Sequence, residues 1–205
     1  MTAIDLEGRF IVFEGLDFTG KSTQVRLLSR RLAAHGVSAV CSQEPGGTAI
    51  GERIRTLLLA PEHGQLLPLS ELLLFMVSRA QHTQEVILPA LRNGRTVISS
   101  RYRLSSLAYQ GHGRGLDLDL IRSLNEHATQ GRQADITLLI DIPPEAALAR
   151  KGRNVDRIER EDLAFYKRVR DGFLTLIDGD PTAHVIDGTR SISAIESSVA
   201  DILGI

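Results

Sequence analysis

The chain has 205 residues and a formal net charge of −1 at pH 7, long enough for one well-cored domain and too nearly neutral to draw nucleic acid or an anionic membrane by its overall field. Its single cysteine, Cys41, excludes an internal disulfide, and no apolar run approaches the ~18 residues of a membrane span. The N-terminus carries no basic-then-apolar signal pattern, so the expected setting is the cytoplasm, with no membrane partner.

Residues 9–14 are apolar and rich in β-formers, and they predict a strand. Gly15-Leu16-Asp17-Phe18-Thr19-Gly20-Lys21-Ser22 follows and fits G-x-x-x-x-G-K-[ST], the phosphate-binding loop. Residues 21–35 read as an amphipathic helix, so the loop lies between strand and helix as the motif requires. Backbone N–H groups of such a loop, with the helix N-terminus, make an anion cradle. Gly15, Leu16, Asp17, Phe18, Thr19, Gly20, Lys21, Ser22 and Thr23 are therefore the expected ATP-binding residues. Lys21 would reach the β/γ-phosphates, and the Ser22 hydroxyl would hold Mg²⁺. The chain has only three lysines (Lys21, Lys151, Lys167), and one stands where the motif needs it.

His35-Gly36 stops this helix. Residues 37–41 predict a second strand, with Cys41 as a small buried residue within it. Glu44-Pro45-Gly46-Gly47-Thr48 is a turn cluster, residues 50–59 a short helix, and residues 61–68 a loop. A long helix is expected over 69–91, loosened in its last turn by Pro89, which lacks an N–H. Residues 96–99 predict a third strand. Residues 104–110 look helical, 111–115 read as a flexible glycine loop, and 117–130 as a helix with acidic residues in its first turn. Residues 136–140 are an uninterrupted apolar strand, and Pro143-Pro144 opens a helix. Residues 150–160 are basic without an apolar pattern and read as a mobile lid. Residues 163–177 form an amphipathic helix, 183–186 a last strand and 192–203 a last helix. Strands that are apolar throughout, alternating with helices, argue for one α/β domain over 1–205 with a parallel sheet covered on both faces. In such sheets ligands bind beyond the carboxyl ends of the strands. That rule gathers the 15–22 loop, the 44–48 turn, the Ser100-Arg101 corner and the segment from Asp141 onward around one crevice.

The phosphate loop has companions in a readable order. They are Glu44-Pro45-Gly46-Gly47-Thr48, Phe75-Met76-Val77-Ser78-Arg79-Ala80-Gln81-His82, the stretch from Arg101-Tyr102-Arg103 to Tyr109-Gln110-Gly111, and Asp156-Arg157-Ile158-Glu159. Together with Glu14-Gly15-Leu16-Asp17 this ordered set resembles the bacterial thymidylate kinases. The resemblance implies a three-layer P-loop nucleoside-monophosphate-kinase fold, with a five-stranded parallel sheet flanked by helices, usually as a homodimer. It implies transfer of the ATP γ-phosphoryl group to dTMP, giving dTDP and ADP, with Mg²⁺ as cofactor and ATP and dTMP as the partners.

Residue by residue, the resemblance assigns Phe75 to stacking on thymine and Arg79 to its O4 edge; four residues apart, the two share a helix face. Ser106 lies near the base edge, Tyr109 packs against the sugar, and Gln110 lies close by. Asp17 faces the sugar 3′-hydroxyl. Arg101 and Arg55 suit the acceptor phosphate, because forked guanidinium donors match phosphate oxygens. Glu44 and Pro45 form a turn expected to contain a cis peptide. The loop carries Phe18 and Thr19 and so offers no catalytic arginine. The chain therefore resembles the type that brings this charge from the lid, where Arg150, Lys151, Arg153 and Arg157 stand. Arg153 is the expected principal cation and Arg150 the second, beside Lys21 and Arg101 as catalytic groups. Two positions depart from the family pattern. Phe18 stands where Gly or Arg is usual, and Ser100 stands where an Asp near the metal is usual, with Asp17, Glu14, Asp141 or Glu159 as substitutes. Ser100 motivates an alternative, a nucleotide-binding relative of low activity; another pyrimidine monophosphate as acceptor is a second alternative.

Overall fold

The computed structural model describes residues 6–153 and 155–205. In chain order the elements are β1 (Phe10–Glu14), α1 (Lys21–Ala34), β2 (Ala39–Gln43), α2 (Ala49–Leu59), α3 (Pro68–His82), α4 (Leu88–Arg92), β3 (Thr96–Ser100), α5 (Arg103–Ser106), α6 (Leu118–Thr129), β4 (Ile136–Asp141), α7 (Pro144–Ala149), α8 (Leu163–Ile177), β5 (Ala183–Asp187) and α9 (Ile192–Leu203). The strands form the expected five-stranded parallel sheet, in the order β2-β3-β1-β4-β5. Every residue of β1 and β3 is buried, which is why both read as near-continuous apolar runs.

Alternation along the strands divides the core. Ile11, Phe13, Ile98, Leu138 and Ile140 pack against Val25, Leu28 and Leu32 of α1 and Ile195, Val199 and Leu203 of α9. The opposite face sets Phe10, Val12 and Val97 against Ile87, Ala90 and Tyr102, and Leu139 against Phe165, Tyr166, Val169 and Phe173. Each fully buried side chain of this kind contributes roughly 1.5–3 kcal/mol relative to exposure. Among the described residues no helix is long and apolar enough to cross a membrane.

Three expectations change. Cys41 is exposed, because β2 is an edge strand and is covered less than the strands inside the sheet. The 69–91 helix is interrupted by a wider, π-helical stretch, Thr83–Ile87, in which Leu88 N–H donates to Thr83 O; this is the loosening expected ahead of Pro89. The 111–115 segment is no flexible loop. Leu107–Gly113 continues α5 as a π-helical stretch, with Gly111 and Gly113 buried. A Cβ on Gly111 would lie 2.4 Å from Leu118 Cδ2, and one on Gly113 would lie 2.7 Å from Phe165 Cε2. These glycines serve close helix packing, a use that composition alone does not separate from a flexible turn.

Candidate active site

The carboxyl ends of β1 and β3 build the site. After β1 the chain turns through Gly15 at φ 133°, where a Cβ would lie 2.5 Å from Ile140 O, so only glycine fits. Gly20, left-handed at φ 91°, hands the chain to α1. Phe18 also has positive φ, 64°, a conformation that suits glycine and is strained for a bulky residue. Lys21 is 7 % exposed and donates to Gly15 O at 3.2 Å, to Leu16 O, and to Thr19 Oγ1 at 3.4 Å. Burial, with Arg101 nearby, lowers its ammonium from the ordinary 10.5 to about 7, against the pull of Asp17 and Glu14.

A cleft opens on this loop. Asp17, Phe18, Gly20, Lys21, Ser22 and Thr23 line it. Gly15, Leu16 and Thr19 do not: the first two present carbonyls to Lys21, and Leu16 and Thr19 are buried. Ser100 also faces this cleft, with Asp156, Glu159 and Arg150. Burial raises the carboxyls of both Asp156 and Glu159, reinforced by Asp17 and, for Glu159, by Asp156. Glu14 and Asp141, two other candidates to stand in for an Asp at position 100, are spent elsewhere. Glu14 accepts from Tyr102 N at 2.9 Å and Ser105 Oγ at 2.5 Å, and Asp141 takes both forks of Arg170 at 2.7 and 2.8 Å.

The neighbouring cleft is lined by every residue expected at the acceptor: Asp17, Glu44, Pro45, Arg55, Phe75, Arg79, Arg101, Ser106, Tyr109 and Gln110. The Glu44–Pro45 peptide is cis, and Arg55 Nη1 donates to Pro45 O at 2.8 Å. Arg79 is no surface charge. It is 1 % exposed; Nε donates to Glu44 Oε2 at 2.6 Å, Nη1 to Ser106 Oγ at 2.9 Å and Asn125 Oδ1 at 2.6 Å, and Nη2 to Tyr102 O at 2.8 Å. One Nη2 hydrogen is left without a protein acceptor among the described residues.

Arg101 joins the two clefts. It stands at φ 73° just after β3. Nη1 donates to Gly15 O and Ser105 Oγ, each at 3.0 Å, and Nη2 to Asp17 and to Tyr109 Oη at 3.0 Å. Its guanidinium carbon lies 4.7 Å from the centre of the Tyr109 ring. Burial alone would raise the Asp17 carboxyl, but Arg101 and Lys21 hold it below its ordinary value, and Tyr109 Oη donates to it at 2.9 Å.

The lid residues separate. Arg150 reaches the phosphate-loop cleft and donates to Gly188 O at 3.1 Å. Arg153 is exposed and outside it. Arg157 is no free lid cation: it is 7 % exposed, donates from Nε to Leu58 O at 3.0 Å, and pairs with Glu71 at 2.6 Å. Sequence reasoning missed Tyr166, whose hydroxyl donates to Asp17 at 3.4 Å, and the acceptor-cleft residues Leu59, Ser105, Asp156 and Ile158. For Tyr166 one signal was present: a tyrosine inside a buried helix stripe needs a partner for its hydroxyl.

The comparisons with known proteins agree with this geometry. The family model described as "Thymidylate kinase" matches residues 13–199. A thymidylate kinase of Pelotomaculum thermopropionicum is 46 % identical over 198 residues, 95 % of this chain and 92 % of that protein. One of Carboxydothermus hydrogenoformans is 48 % identical over 187 residues, 90 % of this chain and 91 % of that one. The crystal structure of thymidylate kinase from Ehrlichia chaffeensis superposes with a TM-score of 0.80 at 35 % identity, covering 97 % of this chain and all of that one. With a phosphate loop and a second, arginine-anchored cleft meeting at Asp17 and Arg101, and with relatives alike over nearly their whole length, this chain belongs to the thymidylate kinase family.

Proposed function

We propose that the chain transfers the γ-phosphoryl group of ATP to dTMP, giving dTDP and ADP for dTTP synthesis. One observation carries this: the two clefts share Arg55 and Arg101, beside the carboxylates Asp17, Glu44 and Asp156, so donor and acceptor phosphates meet on common cations. The phosphate-loop amides and Lys21 hold the donor, where preorganised positive charge counts most as charge shifts in the transition state. Arg101 and Arg55 hold the acceptor phosphate. The free Nη2 hydrogen of Arg79 and the half-buried ring of Phe75 take the base, with Ser106 and Gln110 at its edge. Asp17 and Tyr109 meet the sugar.

Arg150, already at the donor cleft, supplies lid charge, and Arg153 adds to it when the lid moves inward. Among the oxygen donors lining the cleft, the hydroxyls of Ser22 and Ser100 and the carboxylate of Glu159 suit Mg²⁺, which takes few protein ligands, keeps waters and, when bound, would screen phosphate charge. Ser100 brings no charge, and Glu159 is the carboxylate we assign in its place.

Purified protein with ATP and Mg²⁺, offered dTMP, dUMP, dCMP and UMP side by side, is expected to phosphorylate dTMP best and dUMP next. A missing methyl in an apolar pocket discriminates by only ~10–200-fold. No turnover of dTMP, or dCMP as the best acceptor, refutes the assignment.

The chain also works, in our reading, as a cytoplasmic homodimer. Leu69, Leu73 and Val77 are exposed at one-turn spacing along α3, beside exposed Ile50 and Leu57 of α2. Sedimentation is expected to give twice the 22.5 kDa chain mass, and a monomeric mass would remove this interface.

A further inference from the structure

Glu44 holds Arg79, and Glu44 is itself held from behind. His82, the last residue of α3, is wholly buried, with Nδ1 3.0 Å from Glu44 Oε1. Its Nε2 lies 2.6 Å from Ser42 Oγ on β2. The proton positions follow from charge. Burial would raise the Glu44 carboxyl, but Arg79 and His82 outweigh it and keep the group ionised. An ionised carboxylate only accepts, so Nδ1 carries a proton and donates to Glu44, while Nε2 shares its hydrogen bond with the Ser42 hydroxyl.

The backbone is shaped around this ring. Gly47 sits at φ +78°, and a Cβ there would lie 2.6 Å from Ser42 Oγ and 2.9 Å from His82 Cδ2. One turn earlier on α3, Ser78 Oγ accepts from Gly46 N at 3.1 Å. One face of α3 therefore grips the 44–47 turn through Ser78, Arg79 and His82.

We infer that His82 is a positioning residue for the acceptor: through Glu44 it sets the guanidinium of Arg79, whose remaining hydrogen meets the nucleobase. The inference rests on the kinase reading above. Without the Nδ1 donor, Glu44 Oε1 becomes a buried carboxylate oxygen lacking a partner. Glu44 then turns toward water in the two clefts it lines, and Arg79 loses the acceptor that orients Nε. Arg79 lines the acceptor cleft and not the phosphate-loop cleft, so the loss falls on dTMP rather than ATP.

Two polar isosteres test this. Asparagine places its amide nitrogen where Nδ1 stands; glutamine places it where Nε2 stands. His82→Gln is expected to raise KM for dTMP about tenfold or more, with kcat and KM for ATP within about threefold of wild type, while His82→Asn stays within about threefold throughout. Equal KM values in the two variants, or a His82→Gln value within about twofold of wild type, overturns the inference. Ser42→Ala, which removes the Nε2 partner that orients the His82 ring toward Glu44, covers the case in which position 82 tolerates no exchange. A KM for dTMP raised about two- to fivefold at level kcat supports the relay, and an unchanged KM overturns it. A wild-type chain that neither binds nor phosphorylates dTMP overturns the kinase reading and this inference together. A wild-type chain that turns over while the variants do not separate overturns the inference alone.

Discussion

Lys21→Met is expected to lower kcat by about 10²–10³-fold or more while the fold and dTMP binding persist. Methionine keeps the length of the side chain and removes the charge that we assign to the donor phosphates. Among the described residues, the Lys21 ammonium donates to the Gly15 and Leu16 carbonyls and the Thr19 hydroxyl, in a nearly solvent-free position. Burial brings its pKa to about 7, below its ordinary 10.5.

The sign of the linkage follows. Between these two values the unfolded chain holds a proton that the folded chain has lost, so stability of the ligand-free protein rises with pH through this window, and the burial penalty is full below it. Bound phosphates return the ammonium to its charged state. Binding of ADP at about pH 8.5 is therefore expected to take up about one proton, read by calorimetry in buffers of different ionisation enthalpy. Lys21→Met should abolish the uptake. A wild-type binding enthalpy that is the same in every buffer would falsify this account of Lys21.

Arg79→Met is expected to cost about 3–5 kcal/mol of stability in denaturant unfolding and to raise KM for dTMP by about 10²-fold. The reason is the company Arg79 keeps. Its side chain is 1 % exposed and that of Glu44 is 2 %, at 2.6 Å from each other, so removing the cation leaves an ionised carboxylate buried with only His82 beside it. The contribution of the pair is complete above the ordinary carboxylate pKa and is lost as pH falls through the lowered value of Glu44. Adding Glu44→Gln to Arg79→Met removes the stranded charge. The double variant should regain stability without regaining dTMP affinity, since the base still lacks its donor. If Arg79→Met unfolds at the wild-type denaturant concentration, the buried-pair account is wrong.

Much of this molecule was legible before folding is considered. The strand-loop-helix grammar around 15–22 is local: two glycines, a lysine and a serine at fixed spacing define a cradle made mainly of backbone. Apolar strands alternating with helices specify a covered parallel sheet. Phe75 with Arg79, and Ser106 with Tyr109 and Gln110, stand three or four residues apart on helical stretches, so the shared direction of each set follows from helical spacing.

What remained hidden depends on partners far apart in the chain. Tyr166 meets Asp17 across 149 positions, and Arg157 donates to Leu58 O across 99. A basic run such as 150–160 looks the same whether an arginine waits for phosphate or lies buried against Glu71, because charge carries no mark of its counterion. Gly111 and Gly113 looked like a hinge because glycine serves both freedom and close approach, and only Leu118 and Phe165 distinguish the uses. The sequence by itself determined the phosphate cradle and the sheet, and its resemblance to a family named the residues expected at the acceptor. Tertiary structure alone decided which charges are spent on one another and which still face the clefts, because a buried charge is settled by whatever partner the strand order β2-β3-β1-β4-β5 brings within reach.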